Sequence, residues 1–294
     1  MDDRDFLAER FEANRTHLRA VACRMLGSVS EADDAVQEAW VRLSRSDAGA
    51  IENLGGWLTT VVARVSLDML RSRSSRREEP LGVRVPSPIV SPADGVDPEH
   101  EALLADSVGL ALLVVLETLP PAERLAFVLH DMFAIPFDEI APIVSRSPTA
   151  ARQLASRARR RVQGAAPVPD PDLARQRAVV DAFLAASREG DFDALVAVLD
   201  PDVVLHADTG ALETPGSREV HGAEAVARQA LMFRNVAVSS TPALVNGAAG
   251  VVTALDGKPF SVVGFTVSGG RIVGMDIMAD PERIRELDLT VLDA

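Results

Sequence analysis

The chain has one cysteine, one lysine and no tyrosine among its 294 residues. A single thiol, Cys23, excludes an internal disulfide. The longest apolar runs, such as Gly109–Leu116 and Val196–Leu199, fall well short of the roughly 18 residues a membrane-spanning helix needs. The first thirty residues are acidic and then amphipathic, without the apolar core of a signal peptide. These absences point to a cytoplasmic protein with no membrane partner. What is present is globular in kind: 47% hydrophobic and 25% charged residues, in a length that suggests about two domains.

Positive charge is also scarce overall. The net charge is −13, which argues against bulk electrostatic binding to nucleic acid. The average hides two dense basic patches. Arg146–Gln163 holds six arginines and no acid, and Arg71–Arg77 holds four arginines. Residues 164–294 carry −9 of the total.

Two stretches read as linkers. Residues 79–101 contain five prolines, and residues 164–171 read Gly-Ala-Ala-Pro-Val-Pro-Asp-Pro. They separate a first module at 1–78, a second at 102–163 and a third at 172–294. The first two read as helices by their 3–4 apolar spacing: Phe6–Leu26, a helix capped by Ser30, and Trp57–Arg71. Next come Asp106–Thr118, Pro121–Met132, Phe137–Val144 and Ser147–Val162, the last with Ser147 as N-cap and Pro148 at the first helical position. The third module opens with helices Asp172–Glu189 and Phe192–Leu199. Strands follow at Val203–Ala207, Val236–Ser240, Ala243–Val245, Gly250–Ala254, Phe260–Thr266 and Arg271–Met278, with a helix at Gly222–Phe233. Asn246-Gly247, Asp256-Gly257 and Gly269-Gly270 mark tight turns. The pattern predicts an α+β cone built on a curled antiparallel sheet.

Phe137–Val144 and Ser147–Val162 fit a helix-turn-helix. In such a motif the N-terminal side chains of the second helix, here Ser147, Thr149, Arg152, Gln153 and Ser156, meet base edges in the major groove. Arginine suits guanine and glutamine suits adenine. Arg157, Arg159, Arg160 and Arg161 fall nearer the phosphates, which position rather than specify. The plain alternative is a solvated, arginine-rich helix end favoured by the macrodipole. The helix around Asp33, Asp34, Gln37 and Glu38 presents a polar face, opposite an apolar one that includes Trp40.

Asp33-Asp34-Ala35-Val36-Gln37-Glu38-Ala39-Trp40-Val41-Arg42-Leu43 resembles region 2 of the extracytoplasmic-function (ECF) sigma factors. Leu119-Pro120-Pro121-Ala122-Glu123-Arg124-Leu125-Ala126-Phe127, followed by Phe137-Asp138-Glu139-Ile140-Ala141, resembles their region 4. The likeness covers about residues 5–163. It implies an alternative sigma factor that binds core RNA polymerase, recognises promoter DNA, and needs neither cofactor nor metal. Asp33, Asp34, Gln37, Glu38 and Trp40 would dock on the clamp helices of the polymerase's largest subunit. Trp57, Thr60, Arg64, Asp68, Arg71 and Arg73 would lie around the opened minus-ten element, where bases stack on aromatics and meet arginine. For Trp57, core packing is the competing role. The second helix of the region 4 motif would read the minus-thirty-five element.

The third module resembles the SnoaL-like cone of the nuclear-transport-factor-2 (NTF2) superfamily, as fused to sigma factors of the SigJ-like type. That subgroup's tail motifs have their nearest equivalents in Asp256-Gly257-Lys258 and Asp280-Pro281-Glu282-Arg283-Ile284. This implies a regulatory role for Asp256, Gly257, Lys258, Asp280, Pro281 and Arg283. The charge of −9 on residues 164–294 and the eight-residue tether to the arginine-rich helix predict intramolecular contact with the sigma domains, and the cone implies a pocket open to an unidentified small molecule. Cone-fold relatives use Asp/His pairs as general acid and base, for which His206, Asp208, His221 and Asp276 are the candidates. The alternative function is thus a SnoaL-like enzyme or small-molecule sensor fused to a helix-turn-helix regulator. A sigma factor would differ from it in needing core polymerase to bind DNA.

Overall fold

The computed structural model describes residues 3–46, 51–75, 84–93, 109–165, 169–210, 218–234, 239–287 and 289. The chain divides into two interleaved units. A helical unit takes Met1–Glu79 and Val115–Ala165, and an α+β unit takes Pro80–Val114 and Ala166–Ala294. The expected fold class holds: helical sigma-type regions followed by an α+β domain with a single sheet.

The first part of the helical unit comprises α1 (Asp3–Leu26), α2 (Val29–Leu43) and α3 (Leu54–Ser75). Gly27, at φ +65°, ends α1 in the left-handed conformation. The cap of α2 lies two residues earlier than Ser30. Ser28 Oγ accepts from the Glu31 amide at 3.4 Å, because Ser28 and Glu31 stand at capping-box spacing directly after the Gly27 turn. Leu18, Val21 and Met25 of α1 meet Val36 and Leu43 of α2 and Leu58 and Val62 of α3 in a buried core.

The chain then forms α4 (Leu110–Glu117), α5 (Pro121–Phe127) with a π-helical turn at Val128–Met132, α6 (Phe137–Val144) and α7 (Pro148–Ala165). Ser145, at φ +55°, makes the turn between α6 and α7, and Ser147 Oγ caps α7 through the Ala150 amide. Ile140, Ile143 and Val144 pack on Ala151, Ala155 and Ala158, giving the expected helix-turn-helix. Within this unit α3 packs against α5 and α6, and α1 against the π-helical turn. Arg124 Nη1 donates to the Met25 carbonyl at 2.9 Å. The Phe133 ring sits edge-on to His17 and under the Arg24 guanidinium.

The α+β unit opens with α8 (Leu173–Glu189) and α9 (Phe192–Val198). Its sheet runs β1-β4-β5-β6-β7-β2-β3, from β1 (Val90–Pro92), β2 (Leu199–Asp208), β3 (Arg218–His221), β4 (Ser240–Val245), β5 (Ala248–Leu255), β6 (Lys258–Ser268) and β7 (Arg271–Met278). The three turn dipeptides all adopt positive φ at both residues, as tight hairpins require. Of the expected strand 236–240, residues 236–238 lie outside the described residues. The sheet is not wholly antiparallel: β2 pairs with β7 in parallel, Leu205 opposite Met275 and Ala207 opposite Ile277. Chain proximity favours hairpins in a sequence reading, whereas β2 reaches β7 only after α10 (Ala223–Met232) and four further strands have intervened.

The sheet has two apolar faces. Val251, Val263, Phe265 and Met275 face α8, α9 and α10. Val252, Val262 and Met278 pack on the other side with Val85, Val90, Leu110 and Ile284, the last from α11 (Pro281–Glu286). Val85 and Val90 belong to the stretch read as a linker. Its prolines hid a strand, because an edge strand needs only one row of donors and tolerates proline. Here β1 pairs with β4 through Val90–Pro92, and Asn246 exchanges two hydrogen bonds with Ile89.

Candidate nucleic-acid interface

The α3 helix buries Leu58, Val61, Val62 and Val65. On its outer side Trp57, Thr60, Arg64, Asp68 and Arg71 follow one another at 3–4 spacing, so they form a single stripe. Trp57 and Thr60 are half-buried, and Arg64 and Arg71 are exposed. Arg73 departs from the expected group. Its guanidinium donates to the Leu26 carbonyl and pairs with the Glu31 carboxylate, and its side chain is only 16% exposed. It ties the end of α3 to the α1–α2 corner and is not presented to a strand.

The α7 helix buries Ala151, Ala155 and Ala158. At 100° per residue the opposite face carries Thr149, Arg152, Gln153, Ser156 and Arg160, with Ser147 at the cap. All are exposed except Ser156, which is half-buried. Arg152 stacks over Phe137, which holds its guanidinium at the α6–α7 corner. Of the arginines assigned to phosphates, three are engaged inside the unit. Arg157 and Arg161 share the two oxygens of buried Glu123 at 2.8 and 2.7 Å, and Arg159 pairs with Asp131. Arg160 lies at the centre of the exposed face. The sequence reading missed the bracing role of Glu123, although the residue stood inside the quoted region 4 motif.

On α2, Ala32, Ala35, Val36 and Ala39 are buried. Asp33, Asp34 and Gln37 are exposed, and Glu38 is half-buried. Asp33 pairs with Arg19 and Glu38 with Arg42, both at 2.8 Å. Trp40 leans on Phe11 with ring centroids 5.1 Å apart. The face is therefore acidic at one end and aromatic at the other.

In the α+β unit, Asp256-Gly257-Lys258 forms the β5–β6 turn. Asp280 caps α11, accepting from the Glu282 and Arg283 amides, and Pro281 fills its first position. Arg283 Nη1 donates to Asp208 Oδ2 at 2.7 Å and its Nη2 to Ser87 Oγ, while the Val85 amide also donates to Asp208. One buried carboxylate thus fastens the inter-region segment and the C-terminal helix together. Gly210, at φ +58°, lets this corner close, since a Cβ there would lie 2.5 Å from the Asp280 carboxylate.

The acid–base candidates do not assemble at the cone. His206 and Asp208, two residues apart, share one face of β2, with Asp276 beside them on β7. That face is the one away from the cavity, whose lining takes Leu205, Ala207, Met275 and Ile277. His221 is exposed and pairs with Glu219. Burial alone would depress the His206 imidazole. Its 2.9 Å hydrogen bond to Asp276, with the charges of Asp276 and Glu219, outweighs that and raises its pKa above the ordinary histidine value. Burial pushes the Cys23 thiol up to about 11, so it stays protonated and unreactive near neutrality. Among the described residues no His, Cys, Asp and Glu cluster could hold a metal ion, and no helix is long and apolar enough to cross a membrane.

Comparison with known proteins matches both helical regions. The Sigma-70 region 2 family covers residues 10–76, and the Sigma-70 region 4 family covers residues 109–162. The chain is 40% identical over 287 residues to the ECF RNA polymerase sigma factor SigJ of Mycobacterium tuberculosis, covering 93% of this chain and 91% of that one. It is 33% identical over 288 residues to the probable ECF RNA polymerase sigma factor SigI of the same organism, covering 98% of each. The crystal structure of M. tuberculosis SigJ superposes with a TM-score of 0.78 at 37% identity, over 96% of this chain and 99% of that one.

Proposed function

The chain belongs to the extracytoplasmic-function sigma factors, and we propose that α2 docks it on the polymerase clamp helices, the α3 stripe holds the opened minus-ten strand, and the outer face of α7 reads the minus-thirty-five duplex. It is an alternative sigma factor, directing transcription initiation through core RNA polymerase and promoter DNA. The observation that carries the surface assignment is the coincidence on α7 of one exposed face, Thr149, Arg152, Gln153, Ser156 and Arg160, with every other arginine of that helix held by an acid.

Run-off transcription with core polymerase on a promoter from upstream of its own gene tests it. Arg152→Ala should cost about 1–3 kcal/mol at one base pair and relax preference there. Arg160→Ala should weaken all sequences alike and lower the salt slope by about one. Two substitutions acting equally on every sequence would remove the assignment.

The α+β unit regulates these surfaces in cis. Residues 84–93 lie between regions 2 and 4 in the chain, so docking them on the sheet takes slack out of the connection. The two promoter elements stand ~25 base pairs apart, or ~85 Å at ~3.4 Å per pair. Helices packed against each other, as α3 is on α5 and α6, have axes only about 10 Å apart. Regions 2 and 4 must separate to span both elements, and the Asp208–Arg283–Ser87 latch opposes this. Deleting the C-terminal residues would expose Val85, Val90 and Leu110, so point variants are the cleaner test. Asp208→Asn with Arg283→Gln keeps the shape and removes the charges. Run-off transcription should rise severalfold, and unchanged transcription from the folded variant would exclude regulation through this latch.

A further inference from the structure

On the side of the sheet away from the latch, the cone encloses a cavity of about 200 Å³. Phe183, Leu184, Leu205, Val251, Phe265 and Met275 supply much of its wall. No charged side chain of the described residues lines it. Phe233, at the end of α10, both lines the cavity and stands half-exposed, with Met232 exposed beside it. The end of α10 thus offers an apolar edge to the cavity.

Six polar side chains interrupt the apolar wall, Ser187, Thr209, Gln229, Ser240, Thr253 and Ser261, and the last two form a pair of hydroxyls. Thr253 and Ser261 face each other across β5 and β6, both buried, with Oγ1 and Oγ 2.7 Å apart. Two hydroxyls carry two protons. One closes the bond between them. For the other, among the described residues, the acceptor is the Ser261 carbonyl at 3.5 Å, the outer limit of a hydrogen bond. A poorly satisfied proton inside an apolar chamber favours a neutral oxygen brought in by a ligand. An anion would be buried with no cation to meet it, at a cost no apolar contact offsets.

Size narrows the class further. An apolar cavity of roughly 150 Å³ accepts benzene, so this one has room for a ring with several further carbons, or for two fused rings. We propose that the cavity is a receptor site for a neutral one- or two-ring hydrophobic molecule bearing a single hydroxyl or carbonyl oxygen, held by the Thr253–Ser261 pair. The wall runs directly into the latch: Ala207 and Ala279 line the cavity, and Asp208 and Asp280 follow them. Occupancy and latch thus share β2 and the end of β7. The inference deepens the reading of this unit as regulatory and rests on it for its consequence, though not for binding.

Thymol, its hydroxyl-free counterpart p-cymene, and the similarly shaped anion cumate separate the terms when titrated calorimetrically into the full chain. Thymol should bind, p-cymene should bind about tenfold more weakly for want of one neutral hydrogen bond, and cumate should not bind. Thr253→Val with Ser261→Ala should bring thymol down to the p-cymene level and leave p-cymene unchanged. Retained p-cymene binding also reports that this variant is folded. Ala207→Phe, which fills the chamber, should abolish both. No thymol binding to the unaltered chain, cumate binding as tightly as thymol, or thymol binding that survives loss of both hydroxyls would overturn the proposal. Its failure would leave the transcription phenotype of the latch variant standing, so the two readings fail separately.

Discussion

Arg124→Ala is expected to lower the unfolding free energy of the helical unit by about 3–5 kcal/mol, the cost of breaking a buried ion pair by removing one partner. Arg124 is 3% exposed. One of its nitrogens donates to the Met25 carbonyl and to Glu117 Oε1, each at 2.9 Å. Met25 lies in the last turn of α1, where carbonyls lack helical partners and a cation is favoured by the macrodipole. Glu117 closes α4 and is itself largely buried. Alanine would leave an orphan carbonyl and a buried carboxylate with no cation. Adding Glu117→Gln to the alanine variant should recover part of the loss, since the unpaired charge disappears. Urea unfolding of the three variants measures both terms. A loss below about 1 kcal/mol for Arg124→Ala would show that water reaches the pair.

Arg124 also marks where sequence reasoning stopped. The motif Leu119–Phe127 identified the family, yet it did not tell which residues face a partner and which brace the fold. Glu123 and Arg124 brace it. The same blindness affected Arg73, Arg157, Arg159 and Arg161. A basic run reads as a DNA surface until the acids that meet it across tertiary contacts are placed, and Glu31, Glu123 and Asp131 lie 28 to 42 residues away. Local signals fared better. Asn246-Gly247, Asp256-Gly257 and Gly269-Gly270 all adopt the positive φ that their residue types announced. Alternation placed His206 and Asp208 together on one face of β2, but period two cannot say which face meets the cavity. That required β7 to arrive in parallel with Met275 and Ile277 turned inward. The docked segment at 84–93 escaped for a related reason, since a three-residue edge strand gains its stability from β4 and Asn246 rather than from its own composition.

Reversing charge on α2 should separate docking from folding. Asp34→Arg with Glu38→Arg is expected to abolish co-purification with core polymerase, a loss above about a hundredfold, because like charges brought together at an interface cost several kcal/mol. The fold should hardly respond. Asp34 is exposed, and the Glu38–Arg42 pair that the change removes is a surface i,i+4 pair worth about 0.3–0.5 kcal/mol. Placing arginine opposite Arg42 adds a repulsion of similar size. Together these stay near 1 kcal/mol, or a few degrees in melting temperature. Asp33 is left intact on purpose. Its carboxylate meets Arg19 at 2.8 Å across the α1–α2 contact, so reversing it would confuse docking with packing. Trp40 is left for the same reason, since its ring rests on Phe11. A double variant that melts like the unaltered chain and still co-purifies with polymerase would take α2 out of the interface. It would then direct attention to other exposed acids of this unit's helices, such as Asp68 on the α3 stripe.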